Sequence, residues 1–190
     1  MKRRLLWGAL VCSLALGQTF EVGSTVADFT VEDLSGRPAT FASLKGDVTV
    51  VAFIATKCPI SNDYNERMKA VYNDYAPKGV KFVFINSNYN EPATEVRQHA
   101  ETNGLPFAVY KDENNVVANA FGAQVTPEMF VLDKDKVIRY HGYIDDSRNA
   151  ARIQNQGLRM ALDAVLKGAP VAAAETKAFG CTIKRAKKAS

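Results

Sequence analysis

The sequence predicts an α/β fold with a central mixed sheet and helices on both faces, and three observations carry that prediction. Residues 48–55 and 80–85 are apolar, β-branched runs of the kind that form strands covered on both sides. Between them Ile60, Tyr64, Met68, Val71, Tyr72 and Tyr75 recur at helical spacing, with Asn62, Asp63, Glu66, Lys69 and Asp74 at the polar positions. Strand, helix and strand in that order make a βαβ unit with a right-handed crossover and parallel strands. Further on, residues 129–132 and 137–141 flank Asp133-Lys-Asp-Lys136, a polar connection that predicts an antiparallel hairpin at one end of the sheet.

The remaining elements follow in chain order. Lys2, Arg3 and Arg4, an apolar run from Leu5 to Leu16, and the small residues Ala15 and Gly17 form the pattern of a secretory signal. Removal of residues 1–17 leaves an exported protein, periplasmic or secreted, that begins near Gln18. The apolar run is shorter than the ~20 residues of a spanning helix. An uncleaved anchor is therefore the weaker alternative, and no stable membrane span is expected. Val11 is a poor fit to the small residue expected before a lipidated cysteine, which disfavours Cys12 as a lipid site.

Residues 18–47 read as short edge strands with a turn at Leu34-Ser-Gly36. Pro77-Lys-Gly79 stops the helix of the βαβ unit. Residues 92–103 read as a helix closed by Gly104, 107–110 as a short strand, and 116–121 as a short helix closed by Gly122. Thr126-Pro127 opens the next strand, and 151–166 form the closing helix. After Lys167-Gly-Ala-Pro170, the Ala-rich stretch to Lys177 has little to pack with and reads as a tether. The expected organisation is a signal at 1–17, one domain at 18–167, and a tail at 168–190 that carries Cys181.

With 190 residues, 47% hydrophobic and 23% charged, the chain is an ordinary one-domain globular protein, which excludes a disordered, collagen-like or multi-span one. Its charge of +4 comes from 24 basic against 20 acidic residues, and removing three N-terminal bases leaves 21 against 20. That balance provides no nucleic-acid footprint, and the basic tail of Lys184, Arg185, Lys187 and Lys188 reads as a solvated end.

Loss of Cys12 also leaves two cysteines, Cys58 and Cys181, in a compartment that permits disulfides. A catalytic pair, a static staple and a buried free thiol are all open to them. Cys58 sits between a strand and the first turn of a helix, where unpaired N–H groups and the helix dipole favour an anion. Its thiol pKa is expected below the free value of ~8.5. Pro59 suits the first helical position, and Lys57 adds a positive charge nearby.

The order strand, Cys58-Pro59, helix, βαβ, then Thr126-Pro127 before a hairpin resembles the thioredoxin fold. That resemblance implies a cis Pro127 against the active-site sulfur, with Thr126 and Pro127 presenting backbone to an extended peptide or thiol substrate. Ile85-Asn-Ser-Asn88, Asp112-Glu-Asn-Asn-Val-Val-Ala118, Phe121-Gly-Ala-Gln-Val-Thr-Pro127, Tyr140-His-Gly-Tyr-Ile-Asp-Asp-Ser-Arg148 and Gly180-Cys-Thr-Ile-Lys184 resemble bacterial peroxiredoxin-like redoxin proteins of the alkyl hydroperoxide reductase–thiol-specific antioxidant type. Those proteins end in Gly-Cys-Ser-Ile-Lys. The resemblance implies a thiol-dependent oxidoreductase, working by disulfide exchange or weak peroxidase chemistry through Cys58 without a cofactor. Its implied partners are a thiol or disulfide protein, a small thiol or a hydroperoxide, together with a thiol reductant.

Two departures matter. A thioredoxin dithiol needs Cys where Ser61 stands, so Cys58-Pro-Ile-Ser61 cannot close a local disulfide. Peroxiredoxins place Pro and Thr where this chain has Val51 and Ala55, and Thr56 is out of register. Cys181 can supply the missing thiol, because a tether of roughly a dozen residues at up to ~3.3 Å each crosses a small domain. A stable disulfide, or pairing with another chain, stays open for it.

The other candidates are weaker. His99 reads as solvent-facing and His141 as a surface strand residue, while Asp145-Asp-Ser-Arg148 reads as a salt-bridged cap beside the last helix. A copper-delivery site on this fold needs a Cys-x-x-x-Cys pair, which the chain lacks, so no metal is expected. The alternative function is a redox-inert or metal-carrying binding module in which Cys58 is a ligand or packing group.

Overall fold

The computed structural model describes residues 19–187; the signal segment 1–17 with Cys12, the start at Gln18, and Lys188 lie outside them. Strands β1 (Thr30–Asp33) and β2 (Pro38–Thr40) form the expected antiparallel hairpin, and a short helix α1 (Phe41–Leu44) follows. Strand β3 (Val48–Phe53) is buried along its whole length. Helices α2 (Pro59–Asp63) and α3 (Asn65–Tyr75) lead to β4 (Val80–Asn86). Next come α4 (Ala93–Thr102), β5 (Val109–Lys111), α5 (Val116–Ala120) and the short β6 (Val125–Thr126). The described chain ends with β7 (Glu128–Leu132), β8 (Ile138–Gly142), α6 (Gly157–Leu166) and β9 (Cys181–Thr182).

Seven strands form one sheet in the order β2-β1-β5-β4-β3-β7-β8, while β6 and β9 pair separately. Strands β3, β4 and β5 are parallel, and β7 runs antiparallel to β3, which makes the sheet mixed. This is the thioredoxin-like arrangement. Alternation along β3 divides the core. Val48, Val50 and Ala52 face Met68 and Val71 of α3, Val96 of α4, and Leu158 and Leu162 of α6. Val51 and Phe53 face the opposite cluster, which includes Phe41, Val117, Phe121 and Phe130. Two covered faces explain why β3 shows no polar alternation. Among the described residues no helix is long and apolar enough to cross a membrane.

Three elements differ from the sequence reading. The helix after Cys58 is divided at Tyr64, with φ −93° and ψ −3°. Asn62, Asp63 and Asn65 are weak helix formers, and the buried Tyr64 hydroxyl donates to Asp145 Oδ1 at 3.1 Å while the Arg67 guanidinium lies over its ring. The closing helix starts at Gly157 instead of residue 151, because the Asp146 carboxylate accepts the Gln154 and Asn155 N–H groups and holds that segment out of a helix. The Ala-rich stretch is also not an unattached tether. His141 N–H donates to Ala174 O and Thr176 N–H to His141 O, each at 2.9 Å, so the tail runs along β8.

Candidate active site

Strand β3 delivers the chain to Cys58 through a short braced loop. Ala55 N–H donates to Ser61 Oγ at 3.2 Å, and Ser61 is buried. The residue standing where a second local cysteine would be is thus a support for the loop. Cys58 is the N-cap of α2, with Pro59 in the first turn, and its Sγ accepts Ser61 N–H at 3.2 Å. That hydrogen bond fixes the sulfur at the head of α2.

Cys58 forms a disulfide with Cys181 across 123 residues of sequence, with the Cα atoms 5.8 Å apart. The structure therefore brings together the two cysteines, Thr126 and Pro127. The Thr126–Pro127 peptide is cis, and Cys58 Sγ lies 3.4 Å from the Thr126 carbonyl oxygen. In a disulfide that sulfur has no proton to donate, so this is a packing contact. Strand β9 pairs antiparallel with β6, placing Cys181 opposite Thr126 and Thr182 opposite Val125. Ile183 N–H extends the contact to Gln124 O at 2.9 Å, and the Ile183 side chain is buried in the cluster that holds Phe53 and Phe130. Gly180 packs so close to the Thr126 carbonyl that a Cβ there would collide with it.

Two buried carboxylates that the sequence reading missed hold these loops. Glu91 accepts Thr56 N–H at 2.8 Å and Lys57 N–H at 3.0 Å, and also the side-chain amides of Asn86 at 2.6 Å and Asn88 at 2.9 Å. Burial alone would raise its pKa, but those donors more than offset it and hold the carboxyl below the ordinary glutamate value. Glu128 accepts Gln124 N–H at 2.7 Å and Val125 N–H at 3.0 Å, and its other oxygen lies 2.6 Å from His141 Nε2. It thereby fixes the strand that enters the cis proline. The available signal was a charged residue at the end of a buried strand run: Asn86 through Glu91 after β4, and Glu128 at the head of β7.

His99 is not solvent-facing. It is half-buried with Nε2 2.9 Å from Asn62 Oδ1, and burial lowers its pKa, opposed by the Glu91 charge. His141 stacks on Phe130 with ring centroids 4.3 Å apart, and a groove of about 680 Å³ lined by Gln124, Val125, Glu128 and His141 flanks β6. Lys57 Nζ pairs with Glu95 at 2.6 Å, away from the sulfur's own hydrogen bonds. Instead of one cap beside the last helix, Asp145 pairs with Arg67 and Arg148 with Asp63. Val51 and Ala55 are buried and offer no side-chain hydroxyl to a substrate. The metal-carrying module is not favoured, because the Cys58 sulfur is bonded to Cys181.

Known proteins similar to this chain include thiol-disulfide oxidoreductases, which does not favour the redox-inert module. The chain is 31% identical over 118 residues to the thiol-disulfide oxidoreductase ResA of Geobacillus thermodenitrificans, covering 62% of this chain and 67% of that protein. It is 30% identical over 132 residues to the thiol:disulfide interchange protein DsbE of Vibrio cholerae, covering 67% and 68%. The crystal structure of an uncharacterized conserved protein from Geobacillus kaustophilus superposes with a TM-score of 0.82 at 35% identity, covering 90% of this chain and 95% of that one. Residues 22–141 match the AhpC/TSA family, and since that is more than half of its length, this chain belongs to the AhpC/TSA family.

Proposed function

We propose that Cys58 is the nucleophile of a thiol-dependent oxidoreductase and Cys181 its resolving thiol. The observation that carries this reading is the Cys58–Cys181 disulfide at a site where Ser61 cannot serve as partner. In the dithiol form, the Cys58 thiolate attacks a substrate disulfide, forming a mixed disulfide and expelling one thiolate. The Cys181 thiolate then attacks Cys58 Sγ, forming the Cys58–Cys181 bond and releasing the second substrate thiolate. The substrate gains two electrons and the protein loses two, which an external thiol reductant restores.

The backbone of Thr126 and Pro127 is the substrate-binding edge, and in the oxidised form β9 occupies it. Disulfide exchange is the main activity, on a thiol or disulfide protein or a small thiol; the relatives named above as a thiol-disulfide oxidoreductase and a thiol:disulfide interchange protein support it. Hydroperoxide reduction is slow by comparison, since Val51 and Ala55 lack the groups that would orient a peroxide. The protein works in an exported compartment after removal of residues 1–17.

The two single variants test the assignment. Cys58→Ser abolishes turnover of a disulfide substrate. Cys181→Ser reacts once and accumulates a Cys58 adduct visible by intact mass. Turnover of Cys181→Ser at the unaltered rate, with no trapped adduct, would show that external thiols recycle Cys58 and that Cys181 is not the resolver.

A further inference from the structure

The segment joining β4 to α4 carries more buried polar groups than a connection needs. Asn86, Ser87, Asn88 and Glu91 are all buried, as is Lys111 on the neighbouring β5. Lys111 Nζ donates to Asn86 Oδ1 at 2.9 Å, Asn88 O at 3.0 Å and Glu91 O at 2.8 Å. Among the described residues every buried side-chain nitrogen and oxygen has a partner. Taking such a set out of water is costly, and an apolar filling would stabilise the fold at least as well. What the set does is touch both cysteine segments. Glu91 holds the N–H groups of Thr56 and Lys57, just before Cys58. Asn88, which donates to the same carboxylate, accepts Lys184 N–H at 2.7 Å through Oδ1, and Tyr89 N–H donates to Lys184 O at 3.0 Å. Lys184 lies three residues past Cys181.

We propose that the β4–α4 segment is a clasp that keeps Cys181 at Cys58 through the catalytic cycle, with Asn88 as the positioning residue on the tail side. The proposal rests on the reading of Cys58 as nucleophile and Cys181 as resolver. Strand β9 is two residues long, so its ladder with β6 opens at small cost when a substrate needs the Thr126 edge. The grip on Lys184 lies outside that ladder. It holds the anchor while the ladder is open and returns Cys181 to the mixed disulfide. Because Asn88 and the Cys58 loop share the Glu91 carboxylate, the two jaws of the clasp are parts of one hydrogen-bonded unit.

The test uses the reduced full-length protein with a single equivalent of dithiobis(nitrobenzoate), an aromatic disulfide whose released thiolate is coloured, so that Cys181 meets no second molecule of reagent. Cys58 releases the first thiolate on forming its mixed disulfide, and Cys181 releases the second on closing the Cys58–Cys181 bond, its proton passing to solvent. Two variants remove the same hydrogen bond from opposite sides: Asn88→Ala takes the acceptor and Lys184→Pro the donor. Each should slow the second release about tenfold, the size expected for losing one buried hydrogen bond, and slow the first much less, even in Asn88→Ala, where Glu91 also loses a donor. Tyr89→Ala, which trims an exposed side chain and keeps the N–H, should match the unaltered protein. An unchanged second release in either variant, with its fold intact by circular dichroism, overturns the clasp. Equal slowing of both releases overturns it as well, since that is what general support of the fold would produce. If the unaltered protein shows no second release, the resolver reading itself fails, a result distinct from failure of the clasp.

Discussion

The two cysteines reach the same point by different physics. Cys58 is set by the centre of the molecule: β3 pairs with β4 and β7, both faces are covered, and the chain leaves the sheet into a loop braced by Ser61 and Glu91. Cys181 is set at the edge, by a two-residue ladder, the buried Ile183, the hydrogen bonds of Lys184 with Asn88 and Tyr89, and those that Arg185 and Ala186 donate to Asn119, Ala123 and Asn115. The first is part of the cooperative core. The second is held by peripheral contacts, whose loss should leave the core intact if Cys181 is the resolving thiol proposed above.

That contrast breaks most sharply under paired truncations. Phe130→Ala, in the core between Phe53 and Phe121, should lower global stability by about 3–5 kcal/mol in denaturant unfolding. Ile183→Ala removes volume from the same cluster but acts on the tail. In the reduced protein it should speed amide exchange at residues 181–184 while shifting the unfolding midpoint much less than Phe130→Ala does. Equal shifts would mean that the tail is part of the core unit and the contrast is wrong.

How far each region could be read from sequence follows the same division. Residues 48–55, the helical spacing after Pro59 and the hairpin around Asp133-Lys-Asp-Lys136 are local patterns, and the sheet follows from them. Cys58-Pro59 at a strand end was likewise visible. The register of β9 on β6 and the contacts of Asn88 and Glu91 to the cysteine segments join residues from 34 to 96 positions apart, which no local period encodes. The Ala-rich stretch looked unpartnered because its ladder to His141 of β8 is made by backbone groups, which leave no mark on composition, and the Thr176 hydroxyl meets Tyr140 only across the tertiary fold. The helix break at Tyr64 combines the weak helix formers Asn62, Asp63 and Asn65, which are legible locally, with a tertiary bond to Asp145, which is not.

Acid provides an intermediate effect with a definite sign. The Glu91 carboxyl is held below its ordinary pKa, so its contribution is complete above the unfolded value of ~4.3 and is lost as pH falls through the lower, folded one. His99, whose pKa burial also lowers, adds a shallower loss that begins as pH falls below its unfolded ~6.5, because the neutral ring must take up a proton. Amide exchange or protease cleavage in residues 171–187 should therefore rise below about pH 4 while the core amides stay protected. Glu91→Gln should flatten that step. A tail equally protected across the range would contradict the role given to the carboxylate.

The smallest effect is expected at Arg148. Its ion pair with Asp63 is more than a third exposed on both sides, and such pairs contribute at most about 1 kcal/mol. Arg148→Ala should leave both the unfolding midpoint and the reactivity of Cys58 within error. A large change in reactivity alone would make Arg148 a substrate contact and extend the site beyond the cysteine loops.

The most direct measurement is intact mass across a series of glutathione redox buffers, with the unaltered protein at equilibrium in each. A Cys58 nucleophile resolved within the chain predicts two dominant species, the monomeric disulfide and the dithiol. They should exchange in one two-electron transition, with glutathionylated Cys58 accumulating only when Cys181 is replaced by Ser. A stable glutathione adduct or a disulfide-linked dimer as the main oxidised form of the unaltered protein would contradict it.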